Sequence, residues 1–209
     1  PIASIITQVL VSKDDPAFKN PSKPIGPFYT EEEAKKIAKA RGVTVKEDAG
    51  RGWRKVVPSP MPLSIIESDL IKIAIGNGAI VVASGGGGIP VYYDEHGRLT
   101  GLEAVIDKDF AAEKLAETID ADMLLILTAV DSVKINFRQP NEQSIDQITV
   151  GDAFKLIAQG QFAAGSMLPK VEAGINFVAG ANKRTCIITT PEKASQAVEG
   201  KAGTRIIAG

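Results

Sequence analysis

Apolar residues recur along this chain in two alternating rhythms, one typical of helices and the other of buried strands. The first helical face is formed by Ile66, Leu70, Ile73 and Ala74, and an apolar strand at 79–84 follows it. A second face at 112–119 leads into strand 123–128, and helices near 151–159, 170–179 and 191–198 accompany strand 184–189. Strands without polar alternation are covered on both faces. The predicted class is therefore α/β, a three-layer αβα sandwich with an open, mainly parallel sheet.

A different pattern lies between the first apolar stretch, near 4–11, and residue 61. Four prolines between residues 16 and 27 break regular structure, and Thr30 begins a capping box that predicts a helix. Two short strands around a glycine-containing turn at 50–52 predict a hairpin. We therefore predict a small protruding subdomain. The predicted boundaries are 1–12 for part of an N-terminal lobe, 13–60 for the protruding subdomain and 61–209 for the remainder of the core.

The charges of the chain nearly cancel. Lys and Arg total 24 while Asp and Glu total 25, so neither nucleic acid nor a membrane is indicated as a partner. No apolar run approaches the length of a membrane span, and a cytoplasmic protein is expected. The single cysteine, Cys186, and the single histidine, His96, exclude an internal disulfide and a Cys/His zinc site. Charged chemistry must therefore be local.

The junction after strand 79–84 is the most informative one in the chain. It consists of Gly85, Gly86, Gly87 and Gly88. Without Cβ atoms, such a turn can direct amide N–H groups at a phosphate or carboxylate, although a flexible turn also fits. The carboxyl ends of parallel strands meet at one edge, so we expect 84–88, 128–132 and 189–191 to share one side. A Walker motif and a dinucleotide fingerprint are both absent.

Charged residues at two predicted helix starts could face this edge. Lys108 and Asp109 precede the helix at 112–119, where each fits a solvated helix cap. Asp109 could also orient lysines that neutralise a transferring phosphoryl group. Lys170 follows a proline in the first turn of its helix, where a cation opposes the helix dipole and is better explained by a bound anion. Asp131 could contact a ribose, or its strand could simply end there.

Seven segments, taken together, closely resemble the carbamate kinase family of the amino-acid-kinase superfamily. They are 12–18, 23–29, 52–60, 83–90, 105–109, 128–131 and 165–170. The match runs through nearly the whole chain. The lysine between two aspartates, Lys108, favours this family over acetylglutamate, glutamate or uridylate kinases of the same superfamily.

The resemblance implies an open, mainly parallel eight-stranded αβα sandwich, the amino-acid-kinase fold, with a protruding subdomain over the active site. It also implies a homodimer. The implied reaction is reversible phosphoryl transfer between carbamoyl phosphate and ADP, giving carbamate and ATP, and Mg²⁺ accompanies the nucleotide. In fermentative arginine breakdown the direction that forms ATP is the usual one.

The resemblance assigns catalytic roles to four residues. Lys108 and Lys170 correspond to lysines that contact the phosphates, and Asp109 corresponds to the aspartate that organises them. Lys23 corresponds to a lysine of the protruding subdomain that can swing over carbamoyl phosphate. Arg54 is placed on the substrate side in the same way. Without the resemblance, Lys23 and Arg54 would indicate only solvated charge.

The remaining assignments divide the site into two sides. The glycines at 85–88 correspond to the loop that cradles the carbamate or the transferred phosphoryl group. The nucleotide side comprises Thr128, Ala129, Val130, Asp131 and Met167. ATP or ADP and Mg²⁺ are the implied cofactors, and no side chain is assigned as a metal ligand.

One departure from the family is large. Family members begin with a strand ending in a Gly-Gly-Asn-Ala loop, which supplies the other half of the phosphoryl cradle, and the sequence contains no such loop. We expect the functional polypeptide to carry an upstream segment. These 209 residues alone would then be poorly active and prone to aggregate, because missing core strands expose apolar edges. The alternatives are another enzyme of the superfamily and a truncated, noncatalytic nucleotide-binding module.

Overall fold

Helices and strands alternate through most of the chain, which confirms the predicted α/β class. The structure is a computed structural model that describes residues 1–48, 50–181 and 183–209. The chain divides into two compact units, Pro1–Ala111 and Ala112–Gly209. Within the described ranges, no helix has both the length and the apolar character needed to cross a membrane.

The described strands of the first unit pair in three sheets. A parallel pair is formed by β1 (Ile2–Ser4) and β7 (Ile80–Val82). A four-stranded sheet has the order β6 (Ser64–Ile65), β2 (Gln8–Leu10), β8 (Ile89–Tyr93) and β9 (Leu99–Gly101). Strands β2 and β8 are parallel, and Val9 is paired with Pro90. This parallel pair places the glycine loop next to the chain that enters β2.

The predicted subdomain contains the third sheet of this unit. Its order is β3 (Lys23–Tyr29), β5 (Trp53–Val57) and β4 (Val45–Glu47), all antiparallel. A 3₁₀ helix at Pro16–Phe18 precedes the sheet, and α1 (Glu31–Arg41) packs on it. The predicted capping box of α1 is present between Thr30 and Glu33, and Gly42 ends the helix with φ 63°. Because Gly42 adopts a left-handed conformation without steric cost, it stops the helix.

Helix α2 (Ser68–Gly76) corrects one sequence prediction. Its periodicity places Leu70 and Ile73 on one apolar face, but these side chains are 55% and 62% exposed, whereas Ile71 is buried. The neighbouring strand residues Ile80 and Val82 are also exposed. Periodicity identifies residues that share a face, but it does not say whether anything covers that face.

The second unit is built around a four-stranded sheet. Its order is β10 (Met123–Leu127), β14 (Thr185–Thr189), β15 (Thr204–Ile207) and β13 (Gln147–Thr149). Strands β10 and β14 are parallel, as are β13 and β15, while β14 and β15 are antiparallel. A hairpin joins β11 (Val133–Ile135) to β12 (Gln143–Ile145). Residues 112–118 of helix α3 (Lys108–Thr118) belong to this unit.

Helix α5 (Met167–Ala179) forms the core of this unit against β14 and β15. Its inner face buries Val171, Ile175 and Phe177. A Cβ atom on Gly174 would lie 2.9 Å from Sγ of Cys186 and 2.6 Å from Cδ1 of Ile206, so only glycine permits this close approach. The remaining helices of the unit are α4 (Val150–Ala158), a 3₁₀ helix at Pro191–Lys193 and α6 (Ala194–Val198).

Candidate active site

The glycine loop begins at a strained residue. Ser84 follows β7 with φ 61°, and its side chain is buried. Its N–H donates to Oγ1 of Thr7 at 2.9 Å, and its carbonyl accepts from the N–H of Gly87 at 2.7 Å. The Oγ atom of Ser84 has no hydrogen-bond partner among the described residues. Thr7 therefore fixes the start of the loop from the chain that enters β2.

The four glycines divide into two structural pairs. A Cβ on Gly87 would lie 2.3 Å from the carbonyl oxygen of Ile106, and one on Gly88 would lie 2.5 Å from Cγ2 of Val9. In contrast, a Cβ on Gly85 or Gly86 would have no described atom within 4 Å. The second pair is thus required by packing, whereas the first pair presents bare backbone. It lines a cavity of about 490 Å³ beside the segment that follows β1.

The N-terminus of α3 lies in the same unit. Asp107 is the residue before the helix, and its Oδ1 accepts the N–H of Asp109 at 2.9 Å. Its carbonyl accepts the N–H of Ala111 at 3.0 Å. This is the geometry of an N-cap, so Asp107 caps the helix, a role the sequence had suggested for Lys108 or Asp109. Asp107 and Asp109 are both buried, while Lys108 is exposed.

The same aspartate connects the helix with the predicted subdomain. Nζ of Lys23, at the start of β3, donates to Oδ2 of Asp107. The Lys23 side chain remains 31% exposed, whereas that of Asp107 is 11% exposed. The structure therefore brings Lys23 to the residue that precedes Lys108. The ammonium of Lys23 therefore lies at the N-terminus of the helix that Lys108 begins, where the helix dipole favours an anion.

Arg54 lies in a different setting. Its guanidinium donates to Asp48 at 3.2 Å and to the carbonyl of Gly26 at 3.0 Å, and it stacks over Phe28. Although burial alone would raise the pKa of Asp48, hydrogen bonds from Arg51 and Arg54 hold it below its usual range. These contacts tie the sheet of the subdomain together. The predicted contact of Arg54 with substrate stays a prediction.

In the second unit, the ends of β10 and β14 adjoin as predicted. The N–H of Thr128 donates to the carbonyl of Thr189 at 2.8 Å. Asp131 accepts from Oγ1 of Thr190 at 3.3 Å and from Nζ of Lys193 at 2.8 Å. The Lys193 hydrogen bond is the main reason that the pKa of Asp131 is lowered. Beside Asp131 is a polar cavity of about 520 Å³, which Lys193 and Arg205 also line.

The first turn of α5 carries the remaining predicted residues. The helix starts at Met167, which is half-buried, and Lys170 lies one turn later. Lys170 is only 9% exposed. A buried ammonium near a helix N-terminus is favourable only with negative charge or hydrogen-bond acceptors close to it. The predicted contact of Lys170 with phosphate stays a prediction.

Comparison with known proteins places this geometry in a family. Residues 5–189 match the model of the amino acid kinase family. This chain belongs to the amino acid kinase family. Carbamate kinase of Clostridium perfringens is 55% identical over 206 residues, which cover 99% of this chain and 65% of that protein. The resemblance to carbamate kinases is thereby confirmed.

Solved structures agree with this membership. A carbamate kinase from Giardia lamblia bound to citric acid matches all of this amino acid kinase chain with a TM-score of 0.92 and 45% identity. The same Giardia enzyme bound to AMP-PNP matches with a TM-score of 0.86 and 46% identity. The chain spans about 65% of the length of these relatives.

Three polar residues of this amino acid kinase were missed from sequence. Asp107 lies directly before the observed start of α3 at Lys108, an N-cap position that the predicted helix at 112–119 did not reach. Lys193 follows the predicted strand end at 189–191. Thr7 gave no signal, because its bond to Ser84 joins residues 77 positions apart.

A buried acid on α3 lies outside the predicted site. Glu113 is 2% exposed, and its Oε1 has no hydrogen-bond partner among the described residues. Nζ of Lys114 lies 3.9 Å from that oxygen. The pKa of Glu113 is raised to about 7, mainly because the carboxyl is buried; the Lys114 ammonium opposes the shift and the Glu117 carboxylate adds to it. This group therefore affects stability near neutral pH.

Proposed function

We propose that this chain supplies most of the site of a carbamate kinase, which transfers a phosphoryl group reversibly between carbamoyl phosphate and ADP. The observation that carries the proposal is the meeting of Lys23 with Asp107 beside Lys108, at the N-terminus of α3. The similarity to carbamate kinases over 99% of the chain supports the choice of substrate.

The proposed chemistry needs positioning and positive charge rather than a covalent intermediate. In the direction that forms ATP, an oxygen of the ADP β-phosphate bonds to phosphorus as the bond from phosphorus to the carbamoyl oxygen breaks. Carbamate leaves with the electron pair of that bond. Lys23, Lys108 and the amides at Gly85 and Gly86 would stabilise the negative charge of the transferring group. Lys170 would do so from α5.

The nucleotide side is proposed at Thr128, Ala129, Val130, Asp131 and Met167. A relative from Giardia lamblia bound to AMP-PNP supports nucleotide binding. Among the described residues, no three His, Cys, Asp or Glu side chains could together hold a metal ion. Mg²⁺ often binds mainly through substrate phosphates, and it is proposed here to accompany the nucleotide. A homodimer and a cytoplasmic location remain predictions.

The test measures ATP formation from carbamoyl phosphate and ADP with a hexokinase-coupled assay. It uses the whole polypeptide that the gene encodes. Lys108→Ala and Lys170→Ala should each lower kcat by roughly a hundredfold or more. Lys72→Ala removes an exposed lysine of α2 and is the matched control. Nucleotide binding without transfer would instead indicate a noncatalytic module. Turnover with UMP or acetylglutamate in place of carbamate would indicate another kinase of the superfamily.

A further inference from the structure

Asp107 uses its two carboxylate oxygens for two different tasks. Oδ1 caps α3 by accepting the N–H of Asp109, and Oδ2 binds the ammonium of Lys23. Lys23 is 84 residues from Asp107 in the sequence, whereas Asp109 is two residues from it. One buried side chain thus couples the start of β3 to the start of α3.

We infer that Asp107 is a positioning residue, which holds the ammonium of Lys23 where the anionic substrate of the transfer reaction binds. This role rests on the proposed function. An isolated lysine side chain samples many rotamers and loses conformational entropy when it binds a ligand. If Asp107 already fixes Lys23, substrate binding no longer carries this entropic cost. An ammonium has three donors, so the bond to Asp107 leaves Lys23 able to donate to a ligand.

The exposure of the pair agrees with this role. The Asp107 carboxylate is nearly covered, while almost a third of the Lys23 side chain is accessible. An anion can therefore reach the lysine from the open side while the aspartate remains behind it. Lys108 and Asp109 are the other charged groups at this helix start. A plain N-cap would need only the bond to Asp109, which Asn or Ser could provide equally well.

The opposing interpretation is that the ion pair between Lys23 and Asp107 is a lock, which the substrate must break before it can contact Lys23. If Asp107 held Lys23 away from the substrate, its neutralisation would tighten substrate binding. If Asp107 positions Lys23, the same change would weaken binding. The direction of the change in KM therefore separates the two interpretations.

The experiment uses Asp107→Asn, which keeps an N-cap acceptor but removes the charge that holds Lys23. The KM for carbamoyl phosphate should rise roughly 5- to 30-fold, with little change in the KM for ADP. In a Lys23→Ala background the same substitution should add almost nothing, because the residue it positions is already gone. Glu199→Gln, which breaks the exposed pair with Lys201, is the control and should leave all constants unchanged.

Three results would overturn the inference. A lower KM for carbamoyl phosphate in Asp107→Asn would favour the lock. An unchanged KM would reduce Asp107 to a helix cap. Equal effects of Asp107→Asn with and without Lys23 would show that it does not act through this lysine. Failure of the unmodified enzyme to transfer phosphate would instead refute the proposed function, and this role with it.

Discussion

The two pairs of glycines predict different losses of stability when alanine replaces two adjacent residues, Gly86 and Gly87. Gly87→Ala places a methyl group 2.3 Å from the carbonyl oxygen of Ile106, at a residue with φ 132°. Overpacking costs about 1–3 kcal/mol, and the strained backbone adds about 1–3 kcal/mol. Gly86→Ala meets no described atom within 4 Å and has no positive φ, so its cost should stay within about 0.5 kcal/mol.

Thermal unfolding followed by circular dichroism measures the difference. For a chain of this size, about 1 kcal/mol shifts Tm by roughly 2–4 °C. Gly87→Ala should therefore lower Tm by roughly 4–24 °C, whereas Gly86→Ala should lower it by about 2 °C at most. Among folded molecules, Gly86→Ala should lose more activity than Gly87→Ala, because residue 86 lines the cavity beside the loop and its amide is proposed to contact the anion.

Equal Tm values for the two alanine variants would refute this reasoning. They would mean that the loop can move away from Ile106 at little cost and that the tight approach of Gly87 is unimportant. A fully active Gly86→Ala enzyme would leave the packing argument intact, but it would remove the bare backbone of residues 85 and 86 from the proposed site.

Three further outcomes are expected. Because the folded-state pKa of Glu113 is raised to about 7, stability should fall as pH rises from about 4.5 to 7, and Glu113→Gln should raise Tm at pH 8 but not at pH 4. Equal pH profiles would contradict this expectation. Asp48→Ala leaves Arg51 and Arg54 without their carboxylate and should lower the free energy of unfolding in urea by about 1.5–3 kcal/mol. A loss below about 0.5 kcal/mol would show that the cluster is not stabilising. Ile80→Lys should reduce concentration-dependent association of the 209-residue chain in light scattering, and an unchanged profile would exclude this face as the cause.

Local signals gave the sequence predictions that the structure bears out. The capping box at Thr30, the stop at Gly42 and the apolar strand at 123–128 each depend on a few consecutive residues. Their physics is complete within one helix turn or one strand, so a single sequence contains it.

Contacts between distant segments could not be predicted in the same way. The sequence contains both Lys23 and Asp107, but their pairing depends on how β3 and α3 pack within the first unit. The prediction for the apolar face of α2 was wrong for a related reason, since burial depends on a covering element and not on periodicity alone. Helix α5 starts at Met167, three residues before the predicted start, because Pro169 is tolerated in the first turn, where its missing N–H breaks no intrahelical hydrogen bond.

The contact between Gly174 and Cys186 makes the only thiol of the sequence a reporter of motion. Cys186 is fully buried beneath α5, so a thiol reagent can reach it only when the helix lifts from the sheet. The rate of Cys186 labelling would therefore report how often α5, the helix that carries Lys170, separates from the sheet. A bound nucleotide that holds α5 in place would lower this labelling rate, even in a chain that transfers no phosphate.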